Sequence, residues 1–422
     1  MNKIFRSPLF LMALTIFIDI AGFGLILPLL PFWAEHLGAN PTEIGLILTI
    51  YALAQFIFTP ILGALSDRFG RKPIIIASLL IEAFSFALTG FAGSLVVLLI
   101  ARFIGGIGAS NIGSAQAVVA DVTPAEGRAR GMGMIGAAIG LGFVIGPAIG
   151  GILSTFGTVV PFLVAMVVAI LNAILVLAFL PETHKVRGVS QNDASKTAQK
   201  GAVFAGYGQL LRNNTLTRLI VINLLFTAAF TAMEAVFALF AQHVFGWTAK
   251  ETGYIFAYVG IIIVVMQGGL VGQLVKRFGE QKLLIAGLIL LAVGLALLPF
   301  STTLAFMLVS LGILSVGDGA VTPTTSALLS LTSPREVQGK VLGLSQGVAS
   351  LGRIVGPLAA GATYSAFGPG APFIVASVLT FIALLIAFPA MPTKLKRSEE
   401  LAPSTGETAI DSLQTETMAG EL

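Results

Sequence analysis

The sequence predicts an all-α polytopic membrane protein with twelve transmembrane helices, arranged as two six-helix pseudo-repeats. Three observations indicate this fold class: an apolar composition, twelve long apolar runs, and a repeat that relates the two halves of the chain. Hydrophobic residues make up 56% of the 422 residues and charged residues only 10%, whereas soluble domains are about 25% charged. A soluble chain of this length needs more charge to cover its surface, so the composition indicates a protein surrounded by lipid.

Each apolar run is long enough to cross the hydrocarbon core, for which a helix needs about 20 mainly apolar residues. The first run is not a signal peptide, because it is long and contains Asp19, Pro28 and Pro31 without a clear cleavage site. The twelve predicted spans are residues 8–32, 43–65, 73–91, 94–120, 131–153, 159–180, 217–241, 251–275, 282–299, 302–331, 338–364 and 371–389.

The basic residues predict the orientation of the spans. If the N-terminus is cytoplasmic, the inner connections hold nearly all of the Lys and Arg residues, and the outer connections hold only Lys250. Basic residues favour the cytoplasmic side of a membrane protein. We therefore expect a multi-pass protein of the cell (inner or plasma) membrane, with both termini in the cytoplasm.

An internal repeat divides the chain into two halves. Residues 63–70 (GALSDRFG) recur at residues 272–279 (GQLVKRFG), an offset of 209, and residues 142–147 (GFVIGP) recur at residues 352–357 (GRIVGP), an offset of 210. Parallel repeats of this kind can rock about a binding site near the middle of the membrane. The predicted domains are an N-terminal half at 1–182, a polar cytoplasmic linker at 183–215, a C-terminal half at 216–393 and a disordered cytoplasmic tail at 394–422.

The connection after helix 2 carries charged residues around a glycine. Gly70 permits a tight turn, the carboxylate of Asp67 suits a helix N-terminus, and nearby arginines are placed to pair with Asp121 at the inner end of helix 4. Two interpretations remain open: a gate that holds the halves closed on the cytoplasmic side, or basic residues that only set the topology. The candidate gate residues are Gly63, Asp67, Arg68, Gly70, Arg71, Lys72 and Asp121.

Helix 5 carries a row of glycines around a proline. Small residues allow two helices to approach closely in a membrane, and the proline suggests a bend and packing against the other half of the chain. Both interpretations can hold together. The motif residues are Gly142, Gly146, Pro147, Gly150 and Gly151.

These motifs resemble those of a known family. The loop at 63–72 resembles the signature loop of the major facilitator superfamily, and the helix 5 motif is similar to the one shared by its antiporters. Asp19 with Gly22 on helix 1, and Arg102 with Gly106 on helix 4, resemble the twelve-helix drug/proton antiporters, particularly tetracycline and multidrug exporters. Gly105 stands where tetracycline exporters often have glutamine, so how Arg102 is held is an open question. The resemblance implies the major facilitator fold and proton-coupled drug export.

Charged residues inside the predicted spans need a specific explanation, because each costs about 2.5–3.5 kcal/mol at mid-helix. Burial disfavours a charged carboxylate relative to the neutral acid, so the buried acids are candidate proton carriers. The alternative is a structural acid that is permanently paired, for example with Arg353. Glu82 lies on helix 3, which is peripheral in the family, and is interpreted as structural. The proton-coupling candidates are Asp318, Glu234, Asp19 and Arg102.

Polar and aromatic residues within the spans are candidates for lining a substrate cavity. On helix 7 a polar row ends at Glu234, and its spacings of 4, 4 and 3 residues place the row on one helical face. Ligand sites combine apolar walls with a few polar groups. The cavity candidates are Tyr51, Gln55, Asn111, Gln116, Asn223, Thr227, Thr231, Tyr254, Tyr258, Gln267 and Arg353.

The leading hypothesis is a secondary active transporter that exports small amphipathic molecules in exchange for protons by alternating access. The alternatives are proton-coupled transport of a specific metabolite such as a sugar, and a membrane sensor or scaffold that transports nothing. No enzyme, metal or cofactor motif is visible, since the chain lacks cysteine and its three histidines are scattered. The expected partners are a small-molecule substrate, protons and the lipid bilayer; no nucleic acid is expected, and the chain should function as a monomer.

Overall fold

A computed structural model describes residues 7–123, 128–183, 213–333 and 337–388. The described chain forms twelve long helices, two of which consist of two segments. A 3-10 turn at Ala109–Asn111 interrupts α4, and a π-helical segment at Met266–Leu270 interrupts α8. In chain order the helices are α1 (Pro8–Ile26), α2 (Pro41–Phe69), α3 (Arg71–Gly90), α4 (Leu95–Gly108 and Ile112–Val122), α5 (Arg128–Leu153), α6 (Val160–Phe179), α7 (Asn214–Phe245), α8 (Ala249–Val265 and Val271–Phe278), α9 (Glu280–Leu297), α10 (Leu304–Leu331), α11 (Gln338–Phe367) and α12 (Ala371–Ala387).

These helices fall on the twelve predicted spans, so the predicted fold class is confirmed. Within the described residues, ten segments are long and apolar enough to cross a membrane, and α12 is an apolar helix of 17 residues. Large apolar side chains such as Leu171, Val309 and Phe381 are more than half exposed on the outside of the bundle. Such a surface is stable where lipid covers it.

The first predicted span, 8–32, differs from the structure. The helix α1 ends at Ile26, and a separate short helix spans Leu30–His36. Pro28 and Pro31 supply no backbone N–H, and the ring of Pro31 would clash with the carbonyl of Leu27 in a continuous helix. The chain therefore turns before the short helix begins.

The internal repeat is visible in how α2 and α8 begin. At the start of α2, the Asn40 side chain accepts a hydrogen bond from the backbone of Glu43, and the Glu43 carboxylate accepts one from the Asn40 backbone, at 3.0 and 2.8 Å. Thr248 and Glu251 make the same reciprocal cap at the start of α8. Such a capping box satisfies backbone donors that a helix leaves unpaired.

The helices pack mostly within their own halves. In the N-terminal half α1 packs on α5 and α6, and α3 packs on α4 and α6; in the C-terminal half α7 packs on α11 and α12, and α9 on α10 and α12. The two halves meet where α2 packs on α11 and where α5 packs on α8. These two seams fix how the halves are placed.

The seams are tight at only one end of the bundle. We call the end that carries Arg68, Arg71 and Arg277 the basic end, and the opposite end the far end. At the far end a Cβ atom on Gly45 would lie 2.3 Å from the carbonyl oxygen of Pro357, and one on Gly361 would lie 2.3 Å from that of Pro41. Nearer the basic end, α2, α5, α8 and α11 carry glycines whose Cβ position has no described atom within 4 Å outside the glycine's own stretch of helix: Gly63, Gly133, Gly136, Gly268, Gly269, Gly272, Gly343 and Gly347. The halves therefore touch at the far end and separate toward the basic end.

Most of the predicted linker and all of the predicted tail lie outside the described residues. The described chain stops at residue 183, resumes at 213 and ends at 388, and α7 already begins at Asn214. The domain boundaries at 183–215 and 394–422 therefore stay predictions.

Candidate functional site

Asp19 lies inside the N-terminal half and is held by two amides. The side-chain nitrogen of Asn111 on α4 donates to one carboxylate oxygen at 2.7 Å, and that of Asn172 on α6 donates to the other at 3.3 Å. Asp19 is 7% exposed and both asparagines are 1% exposed. Three helices thus converge on one carboxyl group.

Arg102 on α4 is held by an aromatic ring. Its guanidinium lies 4.3 Å from the centroid of the Tyr51 ring, a cation–π contact, and Tyr51 in turn stacks on Phe23 at 5.3 Å. A Cβ atom on Gly105 would lie 2.5 Å from the Ser85 hydroxyl and 3.4 Å from the Tyr51 ring. Glycine at 105 therefore leaves room for this arrangement, which answers how Arg102 is held without a neighbouring glutamine.

Glu82 on α3 belongs to the same buried cluster. It is 1% exposed, and Asp19 and Arg102 are the charged groups that act on it electrostatically. The helices α3 and α4 are in close contact here, since a Cβ atom on Gly108 would lie 2.7 Å from the backbone nitrogen of Glu82. The structure thus brings Glu82 to the proton-coupling candidates of its half, although the sequence suggested only a structural role.

The C-terminal half holds a second group of charges. Asp318, at the middle of α10, is 7% exposed, and Glu234 on α7 is half-buried. The two acids interact electrostatically, and Arg353 on α11 also acts on Glu234. The guanidinium of Arg353 donates to the hydroxyl of Ser350 at 2.8 Å and forms no ion pair of 4.0 Å or less with either acid among the described contacts. A close permanent pair with Arg353 is absent from this conformation.

The polar row of α7 is largely occupied by packing against α11. The side-chain nitrogen of Asn223 donates to the hydroxyl and the carbonyl of Ser345, at 2.7 and 3.2 Å. The hydroxyl of Thr231 donates to the carbonyl of Thr227 at 2.9 Å and lies 3.4 Å from that of Gly352. These side chains bind α11 to α7 in this conformation.

The other cavity candidates are dispersed. The side-chain nitrogen of Gln55 donates to the carbonyl of Ala109 at 3.1 Å, and the hydroxyl of Tyr258 donates to that of Leu308 at 3.1 Å. Tyr254 shares a face of α8 with the exposed residues Ile261 and Val265 and points away from the buried face at Ile255, Phe256 and Val259. Gln116 on α4 and Gln267 in the π-helical segment are exposed.

Arg71 organises the basic end of the N-terminal half. Its guanidinium pairs with Asp67 at 2.6 Å and with Asp121 at 3.5 Å, and it donates to the Ser66 hydroxyl at 2.6 Å. Arg68 lies over the ring of Phe69, at 5.2 Å. All of these partners are in one half, so in this conformation the network braces α2, α3 and α4 and does not join the halves.

Glu182, which follows α6, was not predicted from the sequence. Its carboxylate accepts hydrogen bonds from the backbone nitrogens of Arg71 and Lys72, at 2.9 and 3.2 Å. It thus takes the place at the N-terminus of α3 that the sequence suggested for Asp67. Gly70, with φ of +101°, makes the turn before α3 and leaves room for this carboxylate.

The glycine motif of α5 brings backbones together in two directions. Toward α1, a Cβ atom on Gly146 would lie 2.5 Å from the carbonyl oxygen of Ala21, and one on Gly150 would lie 2.0 Å from that of Leu25. Gly142 likewise packs against Ile20 of α1. Toward α8 in the other half, Gly151 meets the carbonyl of Lys250, and the carbonyl of Pro147 meets Gly253. The motif therefore makes both an internal contact and a seam between the halves.

Two parallel six-helix repeats that meet at one end, with charged groups buried inside each, define a multi-pass membrane transport protein of the two-repeat type. The model of the Major Facilitator Superfamily matches residues 12–280 and 268–412 of the chain. The chain belongs to the major facilitator superfamily, whose members are transporters and not enzymes, and the predicted resemblance is confirmed.

Characterised relatives cover nearly the whole chain. The class C tetracycline resistance protein of Escherichia coli is 32% identical over 383 residues, which are 88% of this chain and 93% of the relative. Multidrug resistance protein 2 of Bacillus subtilis is 33% identical over 376 residues, 87% of this chain and 91% of the relative. The solved structure of the human organic anion transporter MFSD10 matches with a TM-score of 0.67 at 24% identity, and covers 91% of this chain and 99% of its own. That likeness supports the fold alone.

Proposed function

We propose that the chain is a proton-coupled antiporter that exports drugs or other small amphipathic molecules by alternating access. The observation that carries the proposal is the placement of Asp19, Glu234 and Asp318 inside the bundle, in both halves, with no ion pair of 4.0 Å or less to any of them among the described contacts. A buried acid without a close cation can take up a proton without first breaking a salt bridge.

The relatives support the substrate class. Those that cover most of the chain are named for resistance to tetracycline or to multiple drugs, and export of amphipathic compounds is the activity that such names imply. The path between the halves lies within one chain, so function as a monomer is part of the proposal. The partners are then the substrate, protons and the surrounding lipid.

The orientation is part of the same proposal. Both termini and the 183–215 linker are placed in the cytoplasm, because the basic residues favour that side. The basic end then faces the cytoplasm, and the separation of the halves there gives substrates access from inside the cell. Tags inserted at residues 190 and 410 should be reachable only from the cytoplasmic side, and labelling of either tag from outside intact cells would contradict the orientation.

Energetics distinguish neutral from cationic substrates. One pH unit is worth about 1.4 kcal/mol per proton, and a potential of about 100 mV adds about 2.3 kcal/mol per net charge moved. Exchange of one proton for one neutral molecule can thus sustain roughly a several-hundredfold concentration gradient. A monovalent cation exchanged for one proton moves no net charge and is driven by the pH term alone.

Purified protein in proteoliposomes tests the proposal. With an imposed pH gradient, tetracycline or a cationic dye should move uphill while protons move the other way, and a protonophore should abolish the movement. Empty liposomes provide the control. Uphill movement of a sugar without movement of any drug would favour the metabolite transporter. Transport rates that do not depend on the pH gradient for any compound would contradict proton coupling.

A further inference from the structure

The buried cluster of the N-terminal half contains more acid than base. It consists of the carboxyl groups of Asp19 and Glu82 and the guanidinium of Arg102, which come from α1, α3 and α4 and are 7%, 1% and 1% exposed. If all three were charged, the cluster would carry one uncompensated negative charge inside a low-dielectric medium. An uncompensated buried charge is far more costly than a neutral group. The charge count therefore requires one proton on the two carboxyl groups.

The hydrogen bonds indicate which carboxyl group holds that proton. Both oxygens of Asp19 accept from amide nitrogens, those of Asn111 and Asn172, and donors of this kind stabilise a charged carboxylate. No donor of this kind acts on Glu82 among the described residues, and its Oε2 atom is buried without a hydrogen-bond partner there. We propose that Glu82 carries the proton of this cluster and is a further proton-coupling residue, while Asp19 is the anion that balances Arg102.

The surroundings of Glu82 are consistent with a neutral acid. The charged or titratable side chains that interact electrostatically with Glu82 are Asp19 of α1, Arg102 of α4 and Tyr51 of α2. Arg102 rests on the Tyr51 ring at 4.3 Å, with its Nε and Nη1 atoms unpartnered among the described residues. The arginine therefore has hydrogen-bond donors free to reach the Glu82 carboxylate once the proton leaves. This coupling role rests on the proposed function of proton-driven export, whereas the location of the proton does not.

Infrared spectroscopy of the full-length protein in lipid tests where the proton resides. The carbonyl stretch of a protonated carboxylic acid should be lost in Glu82→Gln. The parent protein can be made by cell-free synthesis with ¹³C in the side-chain carboxyl group of either glutamate or aspartate. The same band should shift with labelled glutamate and should not shift with labelled aspartate. Asp19→Asn should also remove the band, because Glu82 then ionises to balance Arg102. A band that shifts with labelled aspartate, or no band difference in Glu82→Gln, overturns the assignment.

Transport by the same variants tests the coupling role. In proteoliposomes, Glu82→Gln should lose substrate-induced proton release and uphill transport but keep downhill exchange, and Glu82→Asp should keep part of both. The unfolding temperature of Glu82→Gln should equal that of the parent, because glutamine has the shape of the neutral acid. The matched control is Glu280→Gln in the first turn of α9, outside the cluster, which should behave as the parent in every assay.

Two outcomes separate failure of this inference from failure of the proposed function. If the parent drives uphill transport and Glu82→Gln does so at the same rate, the coupling role of Glu82 is wrong. If the parent itself shows no response to a pH gradient, proton-coupled export is wrong, and the infrared result still decides which acid of the cluster is protonated.

Discussion

The acids of the two halves differ in how firmly they are held. Asp19 accepts hydrogen bonds from two buried amides. Within the described part of the chain, neither Glu234 nor Asp318 accepts a comparable side-chain bond, and Glu234 is only half-buried. An acid with few fixed donors can exchange protons with less rearrangement of its hydrogen bonds. The C-terminal acids therefore need less rearrangement than Asp19 to bind and release a proton.

Neutral variants of these acids should uncouple transport. Glu234→Gln and Asp318→Asn keep the shape of the side chain but cannot titrate. The variant at the acid that carries the coupled proton should lose uphill efflux and keep downhill exchange. Without the proton, the sustainable substrate gradient should fall about tenfold for each pH unit imposed. A cationic substrate should also lose affinity, because its anionic partner is gone.

The measurement compares uphill efflux and substrate-induced proton release at equal amounts of protein in the membrane. Asp19→Asn belongs in the series, because loss of this anion should ionise Glu82 and remove the proton of the N-terminal cluster. If all three single variants support uphill efflux at the parent's rate, the assignment of proton coupling to Glu234, Asp318 and the N-terminal cluster is wrong.

The charged residues of the candidate site are visible in the sequence, but only some of their hydrogen-bond partners are. An acid or arginine inside an apolar span is conspicuous because of its cost, so Asp19, Arg102, Glu234 and Asp318 were found directly. Asn172 and Glu182 were missed, because they bond to residues 153 and 111 positions away, and which faces of distant helices meet is decided by packing. The role of Glu82 was obscured for the same reason.

At the scale of the helix, the sequence predicts where the helices lie better than it predicts their local backbone geometry. The breaks beside Pro28 and Pro31 follow from the missing N–H of proline. In the repeat, Pro60 of α2 corresponds to Gly269 of α8, at the same offset of 209, and the structure has a π-helical segment at Met266–Leu270. Both halves thus carry, at equivalent positions of the repeat, a feature that disturbs the regular backbone hydrogen bonds of the helix. The π-helical form could not be predicted, because two adjacent glycines permit it without requiring it.

Two glycines on the same helix should respond differently to the same substitution. Gly150→Leu places a side chain against the carbonyl of Leu25, where a Cβ atom would already lie at 2.0 Å, so α5 must move away from α1. Overpacking of this kind costs about 1–3 kcal/mol or more. We expect less folded protein in the membrane and a lower unfolding temperature.

Gly136→Leu is the matched control on α5, since no described atom lies within 4 Å of its Cβ position. This variant should fold and unfold like the parent in detergent. If closure of the basic end brings α5 and α8 together, it should nevertheless slow transport. Equal unfolding temperatures for the two variants would show that the α1–α5 contact at Gly150 does not limit stability.

At the scale of the whole molecule, the sequence predicts the two halves but does not predict at which end of the bundle they separate. Glycines occur along α2 toward both ends, yet a Cβ atom on Gly45 would meet α11, whereas one on Gly63 would lie more than 4 Å from every described atom outside its own stretch of helix. If the chain works by the proposed alternating access, the arrangement that is open at the basic end and the one that is open at the far end are built from one sequence and differ by a small free energy. Repeats and glycines therefore predict that two surfaces can close, and only the structure shows which one is closed.

Locking the far end should stop transport. The Thr42 hydroxyl of α2 donates to the Ser365 hydroxyl of α11 at 3.0 Å, and Thr49 donates to the carbonyl of Ile354 at 2.9 Å on the same seam. Because the chain has no cysteine, Thr42→Cys with Ser365→Cys introduces a single pair of thiols whose sulfurs lie close enough for a disulfide after a small adjustment. Oxidation should form an intramolecular disulfide, reduce transport to the level of empty liposomes and leave substrate access from the basic end intact.

Reduction of the disulfide should restore transport. Each single-cysteine variant should transport at the same rate after oxidation, after reduction and without treatment. If the fully cross-linked protein transports at the parent's rate, the far end need not open during the cycle, and alternating access by separation of α2 from α11 is wrong for this chain.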